Sequence, residues 1–137
     1  MGTWQLMYLI IWIAFFQILF ILFSPLPYSV NVAVHGLVGI AILGLAFQVS
    51  RDLSRSSCPD RIKRISKVTR NLAVLQGILG IALGIGYALS WGSLYAGVVS
   101  FLHVGNALAI ITQASSSATA FDMWEEKEFQ IAPPMQP

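Results

Sequence analysis

The sequence predicts an all-α integral membrane protein, a bundle of four transmembrane helices, and three observations carry that prediction. The chain is 56% hydrophobic and only 10% charged, with a mean hydropathy of +0.72. A soluble domain would hold about a quarter charged residues. Four windows, 4–23, 29–49, 72–90 and 94–113, have the length and apolar character of a bilayer crossing, which takes about 20 residues. Seven of the eight Lys and Arg residues gather between the second and third windows, the one-sided distribution that insertion imposes on loops.

The first window, WQLMYLIIWIAFFQILFILF, is bulky and aromatic with one interior polar residue, Gln17, and reads as the most lipid-facing helix. Pro25 and Pro27 stop it and set a tight turn. The second window carries Gly36, Gly39 and Gly44, and the third carries Gly77, Gly80, Gly84 and Gly86. Small residues let helix backbones approach closely, so windows two, three and four are expected to pack tightly together. Gly36 and Gly39 carry a second reading, because glycine beside a histidine leaves room for a flat ring. The stretch 61–70 alternates Ile62, Ile65 and Val68 with cations and is expected to form a basic amphipathic helix lying in the headgroup layer. The fourth window is expected to run a turn or two further before fraying. The bundle then occupies 1–124, and 125–137 is a polar tail that reads as a docking segment or a disordered end.

The cations Arg51, Arg55, Arg61, Lys63, Arg64, Lys67 and Arg70 place the loop 51–70 in the cytoplasm, with both termini on the same side of the cell membrane. Attraction of this loop to anionic lipid is the ordinary consequence, and so few residues between two spans make a poor nucleic-acid surface. No basic n-region or small-x-small site points to a cleaved signal peptide. Cys58, the single cysteine, falls in the reducing compartment as a free thiol or, less simply, a palmitoylation site. Nucleotide and hydrolase functions lack their motifs: there is no P-loop, no GxSxG and no paired carboxylates. The run 115–117 of three serines reads as the polar cytoplasmic end of the fourth helix.

His35 and His103 are the only groups inside the four windows that could carry a charge. Ionisable groups at that depth are costly and mark function, and neutral imidazole is the commonest protein metal ligand. At a rise of about 1.5 Å per residue, His35 lies roughly 10 Å and His103 roughly 14 Å below the outer boundary. The two even-numbered helices run the same way, so both rings can project inward at one level. The segments HGLVGIAILGLA and HVGNALAIITQA share small and branched residues at matching offsets, as copies within a duplicated helical hairpin would. Ser100, Asn106 and Ala107 share a face with His103, and Asn31 precedes His35 by one turn. Ser100, Asn106 or Asn31 could orient the second ring nitrogen, as metal-bound histidines require. This constellation is what axial ligation of heme iron by two histidines needs. The plainer alternative makes both histidines hydrogen-bonded packing residues. Zinc would lack a Cys, Asp or Glu to complete a tetrahedron.

The stretch LAVLQGILGIALGIGYALSWGSLYAGVVSFLHVGNALAII resembles the last hairpin of heme A synthases, and VHGLVGIAILGLAF is similar to the preceding ligand helix of the same half. In that family two four-helix bundles each hold a histidine pair. The resemblance implies a b-type heme (heme b) held axially by His35 and His103 near the outer face. The family's catalytic half carries a glutamate shortly before a His-Arg pair; here Asn31 and Gly36 stand in that neighbourhood, and no window contains an acidic residue. The likeness is therefore to the non-catalytic half. No Lys or Arg lies on the outer side to pair heme propionates, leaving Tyr28, Ser29, Trp91, Ser93 and Tyr95 as hydrogen-bonding partners.

Three functions follow as expectations. The first is a small cytochrome b-like protein that carries electrons or stores heme in a respiratory or heme-handling assembly. The second is a heme-free structural subunit of a membrane oxidase complex. The third is a half-sized heme A synthase. An electron-transfer or accessory role is expected over stand-alone catalysis. The partners are the lipid bilayer together with other membrane subunits or further copies of the chain. Quinone binding near Gln17 or Gln76 stays open.

Overall fold

The computed structural model describes residues 2–131, with side-chain surroundings for 2–127. Its element order is α1 (Thr3–Phe23), α2 (Tyr28–Arg55), α3 (Asp60–Ala88) and α4 (Ser93–Ile131), an all-α bundle of four helices. Each contains a window long and apolar enough to cross a membrane, and the protein is a multi-pass membrane protein. Large apolar side chains face outward along the spans, among them Trp12, Phe16, Leu37, Ile40, Ile81 and Phe101, the surface that contact with lipid tails calls for.

The helices form a ring in chain order. Each packs on its sequence neighbours and α1 closes against α4, whereas no Cα of α2 comes within 8 Å of α4, nor of α1 within 8 Å of α3. The histidine-bearing helices are therefore diagonal. This corrects the expectation that helices two, three and four form a tight sub-bundle through their glycines. A Cβ built on Gly36, Gly39, Gly44, Gly77 or Gly84 would meet nothing within 4 Å. Those glycines mediate no close helix contact.

Nor is α1 the most lipid-facing helix. Its apolar window is 28% buried, against 6% for α2 and 11% for α3 and α4. Leu6, Met7, Ile10, Ala14 and Gln17 recur at three- and four-residue spacing and form one inward stripe. The aromatic residues that dominate its composition, Trp12, Phe15 and Phe16, pack on one another on the outer face.

Residues 61–70 are not a separate helix in the headgroup plane. They are the first turns of α3, continuous with its span. Ile62 is 3% exposed within the core, while Val68 of the expected apolar stripe is 45% exposed. The inward face instead runs Ile62, Ser66, Thr69 and Ala73. At the same end α2 extends to Arg55 and α4 continues without a break past 124 to Ile131. A helix of 39 residues is about 58 Å long, nearly twice the roughly 30 Å hydrocarbon core. The bundle thus projects from the membrane at its basic end, further than the turn or two expected. Of the polar tail 125–137, the part from 132 onward lies outside the described residues.

Packing is layered and uneven. Near the basic end each helix gives an i, i+3 pair to one central layer: Met7 and Ile10, Ala46 and Val49, Ser66 and Thr69, Ala114 and Ser117. One turn further along every helix comes a single buried apolar residue, Ala14, Ile42, Ala73 and Ile110. Beyond that plug the core thins out. Between Gln17 and Ile42 only Asn31 is buried, and between Ala73 and Asn106 only Gly86. The half of the bundle away from the basic loop therefore buries few side chains.

The far ends are nonetheless pinned. Gly86 lies under the Tyr95 ring, whose Cδ1 would sit 2.7 Å from an added Cβ, and Tyr95 Oη donates to the Ala82 carbonyl at 2.9 Å. At the end of α3, Trp91 N–H bonds the Gly86 carbonyl at 3.0 Å and Ser90 N–H the Tyr87 carbonyl at 3.3 Å, the paired bonds of a Schellman cap. Ser90 holds the left-handed position with φ 54°, where glycine is favoured because it has no Cβ to clash. Ser90→Gly is expected to stabilise the protein by about 1 kcal/mol, read as a rise in the thermal midpoint in detergent.

Candidate functional site

One layer beyond the plug, amide side chains occupy the interior. From α1, Gln17 Nε2 donates to the His35 carbonyl at 2.7 Å. From α4, Asn106 Nδ2 donates to the Leu72 carbonyl at 2.9 Å and to Gln76 Oε1 at 2.7 Å. These bonds tie α1 to α2 and α4 to α3 just below the histidines. Gln17 and Gln76 are thereby both engaged inside the protein.

The next layer holds the imidazoles. His35 of α2 and His103 of α4 face one another across the diagonal, with ring centroids 5.9 Å apart and ring planes inclined at 50°. Nδ1 of each ring is buried and has no hydrogen-bond partner. A buried polar atom without a partner costs stability, and here two such atoms occur on facing rings. A metal bound to one nitrogen of each ring, at about 2 Å per bond, places imidazole centroids roughly 6 Å apart. Among the described residues no group of three or more His, Cys, Asp or Glu side chains is placed to hold a metal ion.

The surrounding residues divide into those the structure brings to the rings and those it does not. Ser100 and Ala107 are half-buried on either side of the line from His103. Gly39 lies about 40° around α2 from His35 and is open, whereas Gly36 lies about 100° away and is exposed. Gly36 therefore does not share the inward face, which runs Asn31, His35, Val38 and Ile42. The asparagines do not orient the imidazoles either. Asn31 Nδ2 donates to the Leu26 carbonyl at 3.1 Å, and Asn106 spends its amide on α3. Tyr95, expected as a polar partner at the outer end, commits its hydroxyl to Ala82.

Gly80, expected only as a helix-packing residue, lies beside the histidines. A Cβ there would stand 3.4 Å from Cε1 of His103, so α3 lies flat against that ring. The signal was available in its spacing from Gln76, one turn away on the inward face. Alanine fits at this distance, but a branched side chain does not. Gly80→Leu is expected to swing the His103 ring away, with Gly80→Ala close to wild type; if the rings hold heme as proposed below, bound heme per chain falls severalfold in Gly80→Leu alone.

Fold and site together define a multi-pass four-helix membrane protein with a paired-imidazole centre in the half that buries few side chains. No family model, no curated protein and no solved structure matches the chain.

Proposed function

We propose that this protein is a small cytochrome b-like protein that binds one b-type heme between His35 and His103. The observation that carries this reading is the facing of two imidazoles on diagonal helices, each with a buried and unsatisfied nitrogen. A bare ion would find only two protein ligands at this level, too few for a tetrahedral site. A porphyrin supplies four in-plane donors of its own and needs two axial ones. Few residues are buried around the histidines, and the resemblance to the non-catalytic half of heme A synthases points the same way.

In this reading each part of the chain has a task. His35 and His103 would supply the two protein ligands to the iron, and Gly80 would leave room for the His103 ring against α3. Gln17 and Asn106, bonded across neighbouring helices, hold the backbones of both ligand helices at a fixed level. Ala14, Ile42, Ala73 and Ile110 close the interior toward the basic end and exclude water from that side. A heme held there would supply one-electron redox chemistry. No carboxylate lies inside the spans, which fits electron carriage or heme storage better than hydroxylation of the porphyrin.

The seven cations flanking the α2–α3 turn favour a cytoplasmic basic end, with both termini on the cytoplasmic side of the cell membrane. The partners in this reading are other membrane subunits of a respiratory or heme-handling assembly, or a second copy. A reduced-minus-oxidised spectrum of protein purified from a heme-replete host tests the proposal. An α-band in the b-type region supports it; a flat difference spectrum favours a heme-free accessory subunit instead.

A further inference from the structure

The central layer near the basic end holds a small space of about 10 Å³, lined by Met7, Ile10, Ala46, Val49, Ser66, Thr69, Ala114 and Ser117. That volume is about the least that admits a single water, and such a space takes up water when polar groups line it. Ser117 is 1% exposed, and its Oγ is buried without a hydrogen-bond partner. Ser66 and Thr69 are also buried, at 2% and 5%. Their hydroxyl protons are already committed, Ser66 Oγ to the Lys63 carbonyl at 2.9 Å and Thr69 Oγ1 to the Ile65 carbonyl at 3.1 Å. Each oxygen therefore keeps lone pairs and no free proton. Ser117 has a proton and no acceptor.

We infer that one ordered water molecule occupies this space as a structural ligand. It accepts a hydrogen bond from Ser117 Oγ and donates to Ser66 Oγ and Thr69 Oγ1. It joins α4 to α3 where the bundle leaves the membrane, at a level where the helices carry no direct polar bond between them. Three partners satisfy a buried water. Three neutral hydroxyl groups are too few and too weak for a metal cation, which takes six or more oxygens with carboxylates among them. The plug of Ala14, Ile42, Ala73 and Ile110 separates this water from the histidine layer, so it is a clamp rather than a link in a proton path.

Substitutions at this layer test the inference through the sign of their effect. With water present, Ser117→Ala removes one of its three partners and lowers the thermal midpoint of the detergent-solubilised protein by about 2–6 °C. With the space dry, the same change removes an unsatisfied hydroxyl and raises the midpoint. The pair Ser117→Ala and Thr69→Val is also expected to be non-additive, because both residues hold the same molecule. An unchanged or higher midpoint in Ser117→Ala, or strictly additive losses in the pair, overturns the inference. A high-resolution density map supplies the direct reading: a peak within hydrogen-bonding reach of all three oxygens supports it, and an empty space contradicts it.

Discussion

His103→Ala is expected to leave the bundle inserted and, under the proposed function, to strip it of heme. The half-buried ring lies against Gly80 in the half of the molecule where few residues are buried, so its loss is expected to cost little stability. Its loss opens no cavity of the kind that destabilises a dense core. Heme binding as proposed would, in contrast, lose one of two protein bonds to iron. Removing even an outer partner of a metal-ligating histidine costs about 10–100-fold in affinity, and removing the ligand itself costs more. The expected result is normal yield and thermal behaviour of the apoprotein with bound heme falling to a small fraction of one per chain. His35→Ala behaves in the same way. Full heme content in both variants, measured by pyridine hemochrome and protein assay, rejects the ligand assignment.

The opposite pattern is expected at the basic end. Leu53 is fully enclosed and packs within the cluster that includes Met7, Cys58, Ile62, Ala118 and Phe121. Leu53→Ala removes buried methyl groups where the surroundings have little freedom to collapse, at a cost of about 2–5 kcal/mol. Protein that does fold should still carry heme with an unaltered spectrum, because the plug of Ala14, Ile42, Ala73 and Ile110 lies between the two regions. The contrast between His103→Ala and Leu53→Ala thus separates a binding half from a folding half. A spectral change in Leu53→Ala without loss of stability contradicts that division.

The four spans were legible because lipid demands long apolar runs, and hydropathy reads those directly. Where the helices end was not, because they continue into water under different rules. Arg61, Arg64 and Lys67 look like a surface segment in isolation, yet Ile62, Ser66 and Thr69 place the same turns in the core of the extended bundle. Aromatic bulk misled on α1: Trp12, Phe15 and Phe16 advertise a lipid face, but the opposite stripe, Met7, Ile10, Ala14 and Gln17, is the more tightly buried.

At the site, the facing of His35 and His103 followed from helix direction and depth alone. The partners of Gln17, Asn106 and Gln76 did not, since each bond joins helices whose order around the ring the sequence leaves open. Gly36 was placed by adjacency in the chain, whereas a helix turns about 100° per residue and carries it out of the site. The serine run from 115 to 117 looked like a solvated end, but Ser117 belongs to the three-and-four spacing of Asn106, Ile110, Ala114 and Phe121 and so turns inward.

The central claim, iron gripped by imidazole from both sides, is tested most directly by electron paramagnetic resonance of the oxidised, purified protein. Two axial imidazoles make ferric heme low-spin, so a low-spin signal at one equivalent per chain is the expected result. A high-spin signal would show iron held by fewer than two imidazoles, and no heme iron at all in protein prepared from a heme-replete membrane would show that the rings hold none; either result contradicts the claim.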